Sequence, residues 1–224
     1  MQNGTLTWRD GAVPVSTRFD DPYYSLHDGL AESRHVFLAG NDLPARFRDG
    51  FAVAELGFGT GLNLLATLTA WEEAGIPGGF TFTSFEAFPL TRADMARALA
   101  AWPGLAPRAE RLLAVYDPAG GTVSLGPARL DLRIGDARET LPSWDGAADA
   151  WFLDGFSPAR NPELWSPDLL AEVGAHTRPS GTFATYTAAG HVRRSLAAAG
   201  FAVTKTPGFA QKRKMSRGTL HPAP

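Results

Sequence analysis

Residues 51–63, Phe-Ala-Val-Ala-Glu-Leu-Gly-Phe-Gly-Thr-Gly-Leu-Asn, limit what this chain can fold into more than any other stretch. An apolar run of strand length, Phe51 to Leu56, carries a carboxylate near its end at Glu55. Gly57, Gly59 and Gly61 follow, and the apolar-rich segment from Leu62 to Trp71 reads as a helix. A strand that turns through glycines into a helix brings backbone close to a ligand and aims free helix N–H groups at it. The unit therefore points to an α/β fold with a nucleotide-type site. A dinucleotide fingerprint requires Gly-x-Gly-x-x-Gly, and its last position is Leu62 here.

The rest of the chain repeats the alternation. Residues 5–17 read as a small hairpin turning at Asp10-Gly11, followed by an acidic-aromatic loop from Phe19 to Tyr24 and a helix within Asp28 to Phe37. Phe80 to Glu86 alternates with period two and predicts the second strand. Thr91-Arg-Ala-Asp94 opens a helix to about Trp102, and Pro107 to Val115 predicts another. Thr122 to Ile134 reads as a hairpin whose return strand joins the sheet. Ala148 to Asp154 predicts a third central strand, Pro167 to Ala175 a helix, Thr182 to Tyr186 a strand, and Ala188 to Ala199 a helix. Phe201 to Thr206 and Lys212 to Leu220 are separated by too few residues for a crossover helix, so these last strands should pair antiparallel. Strand–helix alternation implies a mostly parallel sheet covered on both faces. The expected division is an N-terminal hairpin and helical extension over 1–50, acting as a lid, and a catalytic domain over 51–224.

Ligands in such sheets sit beyond the carboxyl ends of the strands. Glu55, Glu86, Asp136 and Asp154 follow four consecutive predicted strands. Glu86 stands where a carboxylate can bind two ribose hydroxyls, and Asp136 where one can receive an adenine amino group. Any one of them can instead cap a turn or helix; four in register are harder to assign to capping alone. Asp154 leads from an apolar strand into a stiff aromatic loop, Gly155-Phe-Ser-Pro158-Ala-Arg-Asn161-Pro-Glu-Leu-Trp165. A partly buried carboxylate there can bind an ammonium group and take its proton. The alternative is that Asp154 caps the turn while Phe156 and Trp165 are core.

At 224 residues, with 44% hydrophobic and 20% charged residues, the chain suits one globular α/β unit. No apolar run approaches the roughly 20 residues that span a bilayer, and no signal-peptide pattern opens the chain. The absence of cysteine excludes disulfides and thiolate metal sites, and the five histidines lack ligand spacing, so no metal is expected. A cytoplasmic location and a monomer are the simple expectations. All 23 acidic residues lie at or before Glu172, whereas eight of the 21 basic residues lie beyond it. Such asymmetry suggests that one surface meets a polyanion; a solvated basic face is the alternative.

The order Glu55-x-Gly57-x-Gly59-x-Gly61 resembles motif I of the S-adenosylmethionine-dependent methyltransferases, and the reversed final strand resembles their seven-stranded, mostly parallel sheet. A closer resemblance is carried by Phe19-Asp-Asp-Pro-Tyr-Tyr-Ser25, Gly29 to Leu38, Glu55 to Asn63, Ser84 to Asp94, Asp149 to Trp165 and Gly208 to Met215. Together, over about residues 14–220, they resemble the methyltransferase half of the bifunctional bacterial enzymes that complete 5-methylaminomethyl-2-thiouridine at the tRNA wobble position.

That resemblance implies a Rossmann-like fold and methyl transfer from S-adenosylmethionine to the exocyclic amine of 5-aminomethyl-uridine 34, leaving S-adenosylhomocysteine. It implies that Glu55, Gly57, Phe58, Gly59, Thr60, Gly61 and Asn63 line the methionine and ribose side. Glu86 would hold the ribose, and Asp136 with Ala137 the adenine. Asp154 would face both cofactor and amine as the catalytic carboxylate, where related N-methyltransferases carry Asn/Asp-Pro-Pro-aromatic. Phe156, Pro158, Asn161 and Trp165 would shape the uridine pocket, with Tyr24 at its border, and Tyr23 and Tyr24 would fold over the cofactor as part of the N-terminal lid. Arg193, Arg194, Lys212, Arg213 and Lys214 would contact phosphates of the tRNA anticodon loop. The family's flavin-dependent oxidase domain has no counterpart before Pro224, which implies action alone or beside a separate deglycinating oxidase. The alternatives are a methyltransferase for a small-molecule or protein amine, a nicotinamide-linked oxidoreductase, and a catalytically silent RNA-binding module.

Overall fold

The computed structural model describes residues 4–11, 13–25, 28–210 and 213–221. Near the N-terminus β1 (Leu6–Arg9) pairs antiparallel with β2 (Val13–Ser16), and β3 (Asp21–Pro22) adds to β2. The expected hairpin forms where Asp10 and Gly11 both take positive φ, 50° and 73°. Helix α1 (Gly29–Ser33) is capped by Asp28, whose Oδ1 accepts from Ala31 N at 3.0 Å. The chain winds on through a π-turn (Arg34–Leu38) and a 3-10 turn (Ala39–Asn41).

The main sheet is built from β4 (Phe51–Leu56), β5 (Phe80–Glu86), β6 (Gly121–Leu125), β7 (Ala128–Ile134), β8 (Ala148–Leu153), β9 (Thr177–Thr185), β10 (Phe201–Pro207) and β11 (Lys214–Leu220). The covering helices are α2 (Leu62–Ala74), α3 (Arg92–Leu99), α4 (Ala106–Val115), α5 (Ala137–Thr140), α6 (Pro167–Ala175) and α7 (Gly190–Ala198). The strands lie in the order β10-β11-β9-β8-β4-β5-β7-β6. The central strands β7, β5, β4, β8 and β9 run parallel. As expected, β11 is antiparallel, inserted between β10 and β9.

Among the described residues the sheet has eight strands rather than seven. The hairpin over 122–134 contributes both arms, because β6 pairs antiparallel with β7 from Gly121–Leu132 to Leu125–Ala128 and adds an outer edge. Strand β9 also starts earlier than its apolar part, at Thr177, with a register irregularity against β8 between Ala148 and Ala150.

Every residue of β4 and β8 is buried, as parallel strands covered on both faces require. Alternation then divides the core. Phe51, Val53, Phe82 and Phe152 pack with Leu64, Leu68 and Met95 on one face. Ala54, Leu56, Phe85 and Trp151 pack with Leu141, Leu170 and Leu196 on the other. Tyr24, Val36, Phe37 and Phe47 from the first fifty residues belong to the first of these cores. Burying one such large side chain contributes about 1.5–3 kcal/mol, so this packing holds the N-terminal segment against the sheet.

Candidate active site

Parallel pairing brings the carboxyl ends of β4, β5, β7 and β8 to one edge, and the N-terminal segment crosses it. Between them lies a cavity of about 400 Å³, within the range of small-molecule sites. Its floor is the glycine turn, Gly57 to Thr60, with Asn63 at the start of α2. Gly57 needs its glycine: φ is +88°, and a Cβ there would stand 3.2 Å from the Gly155 Cα of the neighbouring turn. Gly61 precedes α2 at φ +76° and brings no capping side chain, so the first helical N–H groups stay available.

One amide links the acids of two strands. Asn63 Nδ2 donates to Glu55 Oε1 at 2.9 Å and to Asp154 Oδ2 at 2.8 Å. Its Oδ1 accepts from Ser33 Oγ at 2.5 Å, and Ser84 Oγ donates to Glu55 Oε2 at 2.6 Å. Glu55 is 0% exposed and stands behind Asn63, off the cavity wall. Burial pushes its carboxyl up to about 8, against the opposing pull of the Ser84 and Asn63 hydrogen bonds. Glu86 does reach the wall, where Gly59 N (3.0 Å) and Phe88 N (2.7 Å) donate to its two oxygens. Burial raises its carboxyl too, and these backbone donors oppose the rise.

Asp154 lines the cavity, with Gly155 N donating to Oδ1 at 2.8 Å. The loop that follows is held from several sides. Tyr186 Oη donates to Gly155 O (2.8 Å), and Trp165 Nε1 donates to Phe156 O (2.9 Å). Ser157 N donates to Asp21 Oδ2 (2.8 Å), and Arg160 pairs with Asp20 (2.9 Å). The Phe156 ring stacks on Phe19 with centroids 4.7 Å apart and meets the edge of Tyr23 at 5.0 Å. Tyr23 and Tyr24 both line the cavity. Burial lifts both phenols, that of Tyr24 to about 12.

Several expected residues stand elsewhere. Trp165, 2% exposed, lies in the core beneath the loop and supports Phe156 rather than facing the cavity. Asp136 caps α5 and is bound by Arg138, whose guanidinium holds its carboxyl below the usual range. It is off the wall, as are Ala137, Gly61, Pro158 and Asn161. Arg193 is half-buried, donating to Ala188 O at 3.3 Å, while Arg194, Arg213 and Lys214 are exposed. Lys212 lies outside the described residues.

The wall also holds residues that sequence reasoning did not assign. Asp21 sits in the acidic-aromatic loop, and its hydrogen bond to Ser157 N spans 136 residues. Glu32, 8% exposed, and Ser33 reach the cavity from α1, and Tyr186 enters beyond β9. Only the acidic character of the Phe19–Tyr24 loop offered a signal. Asp21, Glu32, Glu86 and Asp154 thus share a wall that carries no Lys, Arg or His among the described residues. A field of that sign favours a cationic or amine-bearing ligand. The glycine turn, the wall carboxylates and the strand-end Glu86 fit S-adenosylmethionine, which carries an ammonium, a sulfonium and a ribose diol.

A sequence profile described as S-adenosyl-L-methionine-dependent methyltransferase matches residues 109–221, half of the chain. The chain is 47% identical over 235 aligned residues to the tRNA 5-methylaminomethyl-2-thiouridine biosynthesis bifunctional protein MnmC of Pseudomonas paraeruginosa, covering 100% of this chain and 36% of that protein. It is 51% identical over 217 residues to the protein of the same name from Caulobacter vibrioides, covering 93% of this chain and 37% of that one. The chain therefore spans little more than a third of the length of these relatives. The crystal structure of MnmC2 from Aquifex aeolicus aligns over 100% of this chain and 73% of its own, with a TM-score of 0.74 and 26% identity. With a profile of this description covering half its length, the chain belongs to the S-adenosyl-L-methionine-dependent methyltransferases.

Proposed function

We propose that this methyltransferase acts on tRNA, moving a methyl group from S-adenosylmethionine to the exocyclic amine of 5-aminomethyl-(2-thio)uridine at wobble position 34. The products are 5-methylaminomethyl-(2-thio)uridine and S-adenosylhomocysteine. The observation that carries this reading is Asp154, tethered by Asn63 and Gly155 on an acid-lined wall beside the Phe156 ring. The relatives named for this biosynthesis, which match the chain over 93–100% of its length, supply the substrate class.

When bound, the cofactor supplies a methyl carbon made electrophilic by its sulfonium. The chain's task is to present the amine with a free lone pair. Asp154 accepts a hydrogen bond from the arriving ammonium group and takes its proton. Asn63 and the Gly155 N–H fix the carboxylate so that it meets the amine in one orientation. Phe156, braced by Phe19 and Tyr23, forms the wall for the pyrimidine, and Pro158 and Asn161 belong to the loop that carries it. Glu86 binds the ribose hydroxyls, Asp136 and Ala137 serve the adenine rim, and Glu55 acts through Asn63 as a positioning residue.

Arg193, Arg194, Lys212, Arg213 and Lys214 are assigned to phosphates of the anticodon loop, and recognition of uridine 34 falls to the cavity. Replacing the exposed Arg213 and Lys214 by Ala together is expected to weaken tRNA binding and to reduce the slope of log K against log salt by roughly 1–2, because fewer counterions are released. Filter binding across a salt series reads this directly, and an unchanged slope moves the RNA elsewhere. A separate deglycinating oxidase as the source of the amine, a cytoplasmic location and a monomeric enzyme belong to the same proposal.

The test is labelled-methyl transfer to tRNA carrying 5-aminomethyl-uridine 34, with unmodified tRNA as control and nucleoside mass spectrometry as readout. Methylation of the modified tRNA alone is expected. Cofactor binding without methylation of either tRNA would redirect the assignment to another amine.

A further inference from the structure

Beside the reaction cavity lies a second, smaller one of about 210 Å³, lined by Gly4, Thr5, Ser16, Arg18, Phe19, Tyr23 and Phe88. Its volume is below the 300–1,000 Å³ of ordinary small-molecule sites, so a whole cofactor does not suit it. The two cavities share Tyr23, and the Phe19 ring stacked on Phe156 forms the partition between them. Three half-exposed rings therefore run outward from the reaction site, because Phe88 meets the edge of Phe19 at 5.8 Å. Arg18 ends the series. Its guanidinium lies 4.6 Å from the Phe88 centroid and 5.7 Å from that of Phe19, on an exposed residue. The nearby acids are engaged elsewhere, Asp20 by Arg160 and Asp21 by Ser157 N.

We infer that Arg18, backed by Phe88 and Phe19, is a stacking platform for the nucleotide that flanks the target base in a single-stranded RNA loop. The inference rests on the proposed action on tRNA. An RNA whose target base is turned into the reaction cavity must place a neighbouring nucleotide close to the mouth, and the ring series continues from Phe156 in that way. A planar guanidinium held on an aromatic face is pre-ordered for stacking on a base, and its remaining N–H groups can meet the adjoining phosphate. Such a platform tolerates any base, because every base has a π-face. Its contribution is grip on the loop, not choice of sequence.

The test uses an anticodon stem-loop bearing 5-aminomethyl-uridine 34, with Arg18→Ala and Arg18→Lys compared against the unmutated protein. Arg18→Ala is expected to raise KM for the stem-loop about tenfold, in the range for a lost base–aromatic stack. The kcat at saturating RNA and the affinity for S-adenosylmethionine should stay unchanged. Arg18→Lys, which keeps charge but loses the plane, should recover little of that loss. A stem-loop made abasic at the stacked flanking nucleotide should bind the Ala variant and the unmutated protein alike. Full rescue by Lys would overturn stacking in favour of charge alone, and an unchanged KM would overturn the site altogether. A fall in S-adenosylmethionine affinity would assign the cavity to the cofactor and overturn the inference equally. If the unmutated protein methylates no RNA, the tRNA reading itself fails, which the variants are not needed to reveal.

Discussion

Asp154→Asn is expected to lower kcat by roughly 10² to 10⁴, the range for lost acid–base assistance, while the protein folds and binds S-adenosylmethionine within a few-fold of normal. The substitution keeps the shape of the side chain and removes its charge. An ammonium substrate then loses both its counter-ion and its proton acceptor. The geometry adds a second effect. Both Asp154 oxygens are acceptors now, one from Asn63 Nδ2 and one from Gly155 N. An amide can satisfy only one of these donors and must turn its own NH₂ toward the other, so the loop carrying Phe156 should shift slightly. Single-turnover rates at saturating cofactor separate chemistry from binding, and calorimetry checks the cofactor. Near-normal turnover would remove Asp154 from its role. Recovery of the rate at high pH, where the free amine arrives already deprotonated, would identify proton removal as the lost function.

Glu55 carries the second large effect, on stability rather than rate. Its carboxyl is raised from an ordinary 4.5 to about 8, chiefly by burial. The folded chain therefore keeps a proton between those values that the unfolded chain has already released. Stability must fall as pH rises through that window, by about 1.4 kcal/mol for each pH unit. The accumulated loss is on the order of 5 kcal/mol by pH 8, and it levels off above. Against a typical total of 5–15 kcal/mol, that is a substantial share. Glu55→Gln keeps an oxygen for the Asn63 donor and an NH₂ that can face Ser84 Oγ, but it does not titrate. Its stability should fall less over the same range and exceed that of the unmutated chain at pH 9. Urea unfolding of both proteins at pH 5, 7 and 9 measures the difference, in which other titrating groups cancel. Parallel pH curves for the two proteins would place the raised titration somewhere other than Glu55.

The strand, glycine turn and helix at 51–74 were legible because each signal is local: an apolar run, a break that only glycine accommodates, then an apolar helix stopped at Gly75 in the left-handed conformation. The reversed last strand was equally legible, since the short link between β10 and β11 allows no crossover. The eighth strand was not. Whether the outer arm of a hairpin joins a sheet depends on a free neighbouring edge, and the sequence of β6, largely exposed, carries no mark of one. The early start of β9 was hidden for a related reason. Pro179, Ser180 and Gly181 read locally as turn residues, yet pairing along β8 carries them inside a strand with an irregular register.

In the site, the residue types were readable and their placement was not. Position at a strand end marked Glu55, Glu86, Asp136 and Asp154 alike, because chain order alone makes the four equivalent. Packing separates them: Glu55 is buried behind Asn63, Asp136 is taken by Arg138, and Glu86 and Asp154 face the cavity. Asp21, Glu32 and Tyr186 join them from segments whose local patterns say nothing about a ligand. Periodicity and turn chemistry act over a few residues, which is enough to establish the α/β alternation and the glycine turn. The bonds from Asp20 and Asp21 to Arg160 and Ser157 span 140 and 136 residues. They form only after the sheet has brought the two segments to the same edge, and that assembly selects which acids face the cavity.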